Sequence, residues 1–179
     1  MSHSLTNVVR WLDIPQAVAA LWGGSIGSKV DEDKLTVYLQ CPLHHLQELC
    51  AYLFSTLGYS FATLVVEEGS SEWLLRYVFY GGLGGGQVHV ISRSPLSEIR
   101  IPSISPQIHA ADWQEREVED LFGLVFEGHP RLGDFVLHEE WPEGVNPMRK
   151  SFDASKPYSH KELDPKWQPE PSLKPVVLL

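Results

Sequence analysis

Residues 113–123 read Trp-Gln-Glu-Arg-Glu-Val-Glu-Asp-Leu-Phe-Gly and form the densest run of charge in the chain. Upstream, Ser105 followed by Pro106 is typical of a helix start, with a capping hydroxyl and then proline at the first helical position. Gly123 is typical of a helix end. The pattern therefore predicts a helix over residues 106–122, about 25 Å long at roughly 1.5 Å per residue.

An apolar stripe follows one face of this predicted helix. Its members recur with the 3.6-residue period and are Ile108, Ala111, Val118 and Phe122. Glu115 falls inside the stripe, and Glu119 lies on its edge. Because an unpaired buried charge is costly, we expect Glu115 to meet a cation, with Arg149 or Lys150 as the candidate partner of the acidic helix.

Arg116 lies on a neighbouring face of the helix. Asp112 precedes it by four residues and Asp120 follows it by four, a spacing that predicts an arginine held between two carboxylates. Two interpretations stay open for the helix as a whole. It is either a surface helix with internal ion pairs or a face that docks against another element or another protein.

The composition indicates one domain plus a tail, for a chain of 179 residues with 43% hydrophobic residues. Six Trp, six Tyr and seven Phe are generous for this size and indicate interface surface as well as core. The net charge of −9 argues against a nucleic-acid partner and against an anionic membrane surface.

The two cysteines, Cys41 and Cys50, exclude a disulfide scaffold and favour a cytosolic protein. Two thiols cannot alone hold an iron–sulfur cluster, which usually takes about four, and Cys50 is predicted to be a core residue. No apolar run is long enough to span a bilayer, and the opening Met-Ser-His-Ser lacks the features of a signal peptide.

The first half of the chain predicts two helices and a strand. The segment from Leu5 to Trp22 is expected to be helical, at least from Pro15 on, and to end at Gly23-Gly24. A strand is expected over residues 35–40 because apolar and polar residues alternate there. The apolar face of the first helix is predicted to consist of Val18, Leu21 and Trp22.

The second helix is predicted to open at Pro42 and to stop at Gly58. Its apolar stripe consists of Leu43, Leu46, Cys50, Leu53 and Leu57. His44 and Glu48 lie one turn apart and could chelate a metal, but no third ligand is evident nearby. Solvent-facing polar side chains are therefore the favoured interpretation of this pair.

Three further strands are predicted at residues 61–67, 73–80 and 87–93, with a short fourth at 134–137. The glycine-rich run 81–86 could suggest a phosphate-binding loop. Such loops lead from a strand into a helix, whereas this run leads into another strand, so a hairpin loop is favoured. The element order predicts an α+β fold: a mixed or antiparallel sheet with helices packed on one side.

The chain changes character at residue 151. Residues 151–179 hold five prolines and few periodic apolar residues, so they are predicted to form an extended, proline-rich C-terminal arm after a domain of residues 1–150. Trp167 and the final Val-Val-Leu-Leu are apolar for a free tail. The segment is therefore either a disordered end or an arm that lies along a partner.

The region from Ile101 to Phe152 resembles a known family. The resemblance is carried by residues 111–130, which read Ala-Asp-Trp-Gln-Glu-Arg-Glu-Val-Glu-Asp-Leu-Phe-Gly-Leu-Val-Phe-Glu-Gly-His-Pro, and by Pro102-Ser-Ile, Glu139-Glu-Trp-Pro and Asn146-Pro-Met-Arg-Lys. These runs resemble the signature of the 30 kDa subunit of respiratory complex I, the NADH-quinone oxidoreductase. The same domain occurs in membrane-bound nickel–iron hydrogenases of the formate hydrogenlyase type.

The chain departs from the family after His129-Pro130. A pair of basic residues is usual there, whereas this chain reads Arg-Leu-Gly-Asp-Phe over residues 131–135. Residues 137–147 look more like the hydrogenase branch than the respiratory one.

The resemblance implies a cofactor-free assembly subunit of the peripheral arm of complex I, or the equivalent subunit of an energy-converting hydrogenase, with no catalysis by the isolated chain. NADH, FMN, iron–sulfur clusters and quinone, or nickel–iron, would be on partner subunits. The partners would be the large hydrogenase-like (49 kDa-type) subunit and an iron–sulfur subunit. The chain would lie on the cytoplasmic side of the inner (plasma) membrane, associated only through the complex.

The family motif also implies a set of partner-interface residues. They are Trp113, Glu115, Arg116, Glu117, Asp120, Phe122, Gly123, His129, Pro130, Arg149 and Lys150.

Two other functions are alternatives to an assembly subunit. A stand-alone enzyme would use Glu115, Glu117, Asp120 and His129 as acid/base groups in a cleft, but Glu115 and Glu117 are predicted to project from different faces of the helix. A nucleotide-binding module would use the glycine run. The assembly subunit is favoured over both.

Overall fold

A five-stranded mixed sheet lies at the centre of the structure, a computed structural model that describes residues 9–82, 85–133, 135–138 and 141–155. The strands are β1 (Gly27–Asp31), β2 (Thr36–Gln40), β3 (Ser60–Glu68), β4 (Glu72–Tyr80) and β5 (Gln87–Pro95). Their order is β1-β2-β5-β4-β3, with β2 and β5 parallel and the other neighbours antiparallel. The predicted α+β class is confirmed, as are the three strands predicted between residues 61 and 93.

Three α-helices accompany the sheet in the described part of the chain. They are α1 (Ile14–Trp22), α2 (Leu46–Ala51) and α3 (Asp112–Phe122). Each is preceded by one 3₁₀ turn, and α2 continues into a π-helical turn, Tyr52–Thr56. A small parallel pair, β6 (Arg100–Pro102) and β7 (Val125–Glu127), flanks α3 in the chain.

The core lies on one face of the sheet. Alternation along β4 sets this face, because Trp73, Leu75, Tyr77 and Phe79 are fully buried while their neighbours are not. The buried side chains of α2, including Cys50, belong to the same core cluster, which confirms the predicted core position of that cysteine. None of the described helices is both long and apolar enough to cross a membrane.

The start of α3 differs from the prediction. The helix begins at Asp112 rather than after Ser105, so it has 11 residues. Ser105 does not cap a helix, since it is buried and its hydroxyl shares a hydrogen bond with that of Ser103 at 2.9 Å. The Ile108 N–H instead closes a turn onto the Ile104 carbonyl at 2.9 Å. The capping signal was overridden because these hydroxyls serve a tertiary contact.

Three smaller predictions were also wrong. Leu21 is 57% exposed and does not belong to the apolar face of α1. Leu35 precedes β2 in a turn with a positive φ of 50°. Residues 135–137 form bends, not a strand, because their N–H groups bind a side chain of α3 instead of a neighbouring strand. Strand β1 was not predicted.

The glycine run joins β4 to β5 as a hairpin loop, as predicted, and the Gly81 N–H donates to the Gly86 carbonyl at 3.2 Å. It therefore leads into a strand and lacks the helix N-terminus of a phosphate loop. The predicted C-terminal arm, residues 151–179, is described only as far as Ser155, and the rest lies outside the described residues.

Helix α3 ends at Gly123 in the left-handed conformation, with a φ of 75°. Its N–H donates to the Glu119 carbonyl at 2.8 Å, the hydrogen bond of an αL cap. A Cβ at this position would come within 2.5 Å of Asn146 Oδ1. Glycine is therefore required at position 123 for two reasons: its positive φ and the close approach of the Asn146 side chain.

We predict that Gly123→Ala lowers the free energy of unfolding by about 2–4 kcal/mol, measured by urea denaturation, because left-handed strain adds to a steric clash. Gly128→Ala is the matched control, since Gly128 has a φ of 83° but open space around it. That variant should lose only about 1 kcal/mol. Equal losses in the two variants would contradict the close approach of Asn146.

Candidate functional site around helix α3

The C-terminal end of α3 is satisfied by residues 146–149, which we name the return segment. The last carbonyls of a helix have no partner within it. Here the Asn146 side-chain amide donates to the Asp120 carbonyl at 2.8 Å, and the Met148 N–H donates to the Leu121 carbonyl at 3.0 Å. Arg149 Nη1 reaches the Phe122 carbonyl at 3.4 Å, which places a cation at the negative end of the helix dipole.

Arg149 also ties the helix end to the sheet. Its Nε lies 3.2 Å from Glu68 Oε1 on β3, and its guanidinium lies 4.6 Å from the centre of the Trp73 ring. Phe122 contacts the same tryptophan edge-on at 6.1 Å. Lys150 adds a backbone N–H to Glu68 Oε2 at 2.7 Å. The carboxylate partner of these two residues is therefore Glu68, not an acid of α3 as the sequence suggested.

Asp120 anchors the loop that follows β7. Its Oδ2 accepts hydrogen bonds from the N–H groups of Phe135, Val136 and Leu137 at 2.9, 2.6 and 3.1 Å. Three backbone donors around one carboxylate oxygen make a small anion-binding nest. The preceding residue, Glu119, accepts a hydrogen bond from the Gly133 N–H at 3.0 Å. These two acids of α3 thus hold a loop of the same chain.

Asp112 and Asp120, the two acids predicted to hold Arg116 between them, are directed to other partners. The Arg116 guanidinium lies over the Phe135 ring, 4.4 Å from the ring centre. Asp112 is almost fully buried and lies 3.2 Å from both Arg131 Nη2 and His129 Nε2. Arg131, the single arginine at the point where the chain departs from the family pattern, therefore does make a basic contact.

His129 is held in one tautomer by its neighbours. Its Nδ1 accepts the Arg131 N–H at 3.0 Å, so the ring proton is on Nε2. That nitrogen faces the Asp112 carboxylate and carbonyl, each at 3.2 Å. His129 thus links the N-terminal end of α3 to the chain beyond β7.

Glu115 is fully buried, as its place in the apolar stripe predicted. Its Oε2 lies 2.5 Å from the Ser103 hydroxyl, and its Oε1 accepts the Ile104 N–H at 2.8 Å. The nearest basic atom described is His129 Nε2 at 3.9 Å, so the expected cation is replaced by neutral donors. Burial raises the pKa of Glu115 to about 7, against the lowering effect of the hydrogen bonds.

The outward side of α3 carries an exposed aromatic cluster. Trp113 is 65% exposed and meets the Phe135 ring edge-on at 5.4 Å, while Val136 is 51% exposed. We call these three residues the Trp113 patch. Glu117 lies exposed on the same helix. Tryptophan is enriched among interface hot spots, so this exposed ring is a candidate interface anchor.

The predicted interface residues therefore separate into two groups. Those that hold the fold together are Glu115, Asp120, Phe122, Gly123, His129 and Arg149, with Arg116 half-buried against Phe135. Those exposed at the surface are Trp113, Glu117, Pro130 and Lys150.

Several residues of the site were not predicted. Ser103 and Asn146 lie within the motif runs given above, and their presence there was the signal that could have found them. Glu68 carried no local signal, since its partner Arg149 lies 81 residues away in the chain. Asp112 and Arg131 were noticed in the sequence, but they were not predicted to contact each other.

The predicted acid/base groups come together only in part, since Glu115 lies 3.9 Å from His129 but Glu117 is exposed. Glu115 is buried while Glu117 is exposed, so the two carboxylates do not converge on one site. In the residues that the structure describes, no group of three His, Cys, Asp or Glu could hold a metal ion. Glu48 instead lies 3.7 Å from His45 and 3.4 Å from the Trp22 indole nitrogen.

Residues 39–158 match the family described as the respiratory-chain NADH dehydrogenase, 30 Kd subunit. The chain belongs to this family. The matched range includes the strands from β3 to β7, helix α3 and the return segment, which are the elements that build the site.

The chain is similar to subunits of two kinds of complex. It is 39% identical to Hydrogenase-4 component G of Escherichia coli (strain K12) over 165 residues, 87% of this chain and 27% of that one. It is 45% identical to Formate hydrogenlyase subunit 5 of the same strain over 126 residues, 66% of this chain and 21% of that one. An NADH-quinone oxidoreductase subunit of Geobacter metallireducens is 31% identical over 115 residues, 62% of this chain and 70% of that protein.

The match covers only 22% of an NADH-quinone oxidoreductase subunit of Nocardioides sp. and 27% of component G, so the chain spans about a quarter of these relatives.

Two solved structures share the fold. A trypsin-resistant fragment of Nqo5 has a TM-score of 0.56 and 23% identity, and the match covers 68% of this chain and 99% of the fragment. A chain of the archaeal membrane-bound sulfane sulfur reductase has a TM-score of 0.70 and 19% identity, covering 88% of this chain and 98% of that one.

We predict that Asp120→Ala lowers the free energy of unfolding by about 1–3 kcal/mol, because three backbone donors lose their acceptor. Hydrogen exchange at residues 135–137 should accelerate in the same variant. Glu117→Ala is the control, an exposed acid of the same helix whose loss should change stability by less than about 0.5 kcal/mol. Unchanged exchange at residues 135–137 would contradict the anchoring role of Asp120.

Proposed function

We propose that this chain is a cofactor-free assembly subunit of a membrane-associated redox complex, which docks on a large hydrogenase-type subunit and supports electron transfer by holding that subunit in place. The observation that carries the proposal is the division within α3. Most acids of the family motif bind groups of the same chain, whereas the Trp113 patch has a solvent-exposed surface available for a partner.

The Trp113 patch has the anatomy of a docking surface. Tryptophan is enriched in the centres of protein interfaces, and an exposed tryptophan loses its water-contacting apolar area when a partner covers it. Phe135 contacts the Trp113 ring edge-on, and the N–H groups of Phe135 and Val136 donate hydrogen bonds to Asp120, which hold this backbone in place. The patch is therefore rigid before a partner arrives, which limits the entropy lost on binding.

The lengths of the relatives support a function in contact with other protein. In Hydrogenase-4 component G the matched region makes up 27% of a longer protein, so most of that protein lies outside the match. We propose that this chain contacts its large partner through the Trp113 patch, with an iron–sulfur subunit nearby. The redox cofactors would be on those partners, and the chain would reach the cytoplasmic membrane surface only through the complex.

Two complexes are candidates for the assembly. An energy-converting hydrogenase is favoured by the 87% coverage of this chain in the match to component G. A respiratory NADH:quinone oxidoreductase is the second candidate, because the matched family carries that description and the relative from Geobacter metallireducens is covered over 70% of its length. The complex purified through a tag on this chain would separate them. Hydrogen evolution indicates the first candidate, and quinone reduction by NADH indicates the second.

We predict that Trp113→Ala weakens binding to the co-expressed large subunit at least about tenfold, measured by titration of the purified partners, since an anchor truncation costs roughly 1.4 kcal/mol or more. The urea midpoint of the free subunit should stay near the wild-type value, because the ring is exposed. Leu21→Ala, which truncates a side chain on α1 that is 57% exposed, should bind like wild type. Wild-type affinity of Trp113→Ala would count against docking through this patch.

A further inference from the structure

Glu115 lies where several elements meet. The turn after β6 supplies Ser103, Ile104 and Ser105, and the chain after β7 supplies His129. Burial raises the pKa of Tyr77 on β4 and of Cys50 on α2, and the nearby Glu115 charge raises both pKa values further.

The groups that face the Glu115 carboxylate are either neutral or bound to Asp112. Cys50 and Tyr77 are fully buried, and burial keeps the pKa of each well above its usual value, with Cys41 a further neutral thiol beside them. His129 carries one ring proton, on Nε2, which is directed at Asp112. The Asp112 charge is matched by Arg131 at 3.2 Å.

Both protonation states of Glu115 can be satisfied without moving a heavy atom. The carboxylate accepts the Ile104 N–H on Oε1 and the Ser103 O–H on Oε2. The carboxylic acid would donate from Oε2 to Ser103 Oγ, whose own proton would then turn to Ser105 Oγ at 2.9 Å. Either serine oxygen can be the donor in that contact. The two hydroxyls therefore form a relay that adapts to the proton by rotation.

We propose that Glu115 is a proton-binding site, and that its charge controls how firmly α3 is held against the turn at residues 103–105. When the proton leaves, a buried charge remains with only neutral donors around it, which weakens this packing.

The sign of the pH dependence follows from the direction of the shift. Burial raises the pKa of Glu115 from 4.5 to about 7 in the folded chain, so the folded state binds the proton more tightly than the unfolded state. The stabilisation is fully present at acid pH and is lost as pH rises through about 7. With these two values, the contribution of Glu115 increases the unfolding equilibrium constant about tenfold between roughly pH 6 and pH 8.

The test is a carboxyl-carbon NMR titration of the chain labelled at glutamate, together with urea denaturation over the same pH range. We expect one carboxyl that titrates near neutral pH in the wild type and is absent from Glu115→Gln. Gln mimics the protonated form, since its Oε1 can accept the Ile104 N–H and its amide can donate to Ser103. Glu115→Gln should therefore lose the tenfold change in the unfolding constant. Glu117→Gln, an exposed control on the same helix, should keep both the carboxyl that titrates near neutral pH and the tenfold change in the unfolding constant.

A second variant makes the test independent of the folding of Glu115→Gln. Ser103→Ala removes the hydroxyl whose hydrogen bond lowers the pKa of Glu115, so the titration should move to higher pH. The proposal is overturned if Glu115 titrates near pH 4.5, if it stays protonated above pH 9, or if Ser103→Ala leaves its titration unmoved.

One consequence of the proposal rests on the proposed function. Because α3 also carries the Trp113 patch, docking on the large subunit should weaken between pH 6 and pH 8 in the wild type but not in Glu115→Gln. Absence of docking at every pH would reject the proposed function and leave the proton site standing. Docking with the same pH dependence in both proteins would reject the coupling to Glu115.

Discussion

The unsatisfied carbonyls at the end of α3 are the constraint on which the surrounding structure depends. A helix that ends beside the sheet must find donors for its last turn. The return segment supplies them from Asn146, Met148 and Arg149, and Arg149 then continues to Glu68 and Trp73. One set of contacts thereby closes the helix, fixes the loop after it and attaches both to β3 and β4.

This arrangement changes the meaning of the acidic signature. A run of glutamates and aspartates on one helix suggests a surface for a cationic partner, yet Asp112, Glu115 and Asp120 are each directed inward or onto the same chain. These carboxylates hold irregular parts of the chain in place, because they accept hydrogen bonds from groups that no neighbouring strand or helix satisfies. The solvent-exposed part of the signature is then its apolar member, Trp113.

Local patterns predicted the elements whose causes are local. Strands β3 to β5 were found because β-forming residues cluster there, and the ends of α1 and α3 were found because Gly23 and Gly123 adopt positive φ angles. The start of α3 was missed because the Ser105 hydroxyl serves a tertiary contact. Strand β1 was missed because its sequence, Gly-Ser-Lys-Val-Asp, shows no alternation of apolar and polar residues. The partner of Arg149 is distant in the sequence, and the partners of Glu115 are neutral. The spacing of charges along one helix can reveal neither.

The parallel pairing of β2 with β5 has a consequence for the order in which the chain folds. Thr36 lies opposite Gln87, so closing this pair must bring together residues about fifty positions apart, whereas β3, β4 and β5 form an antiparallel meander of near neighbours. The entropy of loop closure favours the meander as the early nucleus. The ribbon of β1 and β2 would join it later, once β5 offers a free edge. On a ribosome, the first forty residues would then wait for the ninetieth before they could complete the sheet.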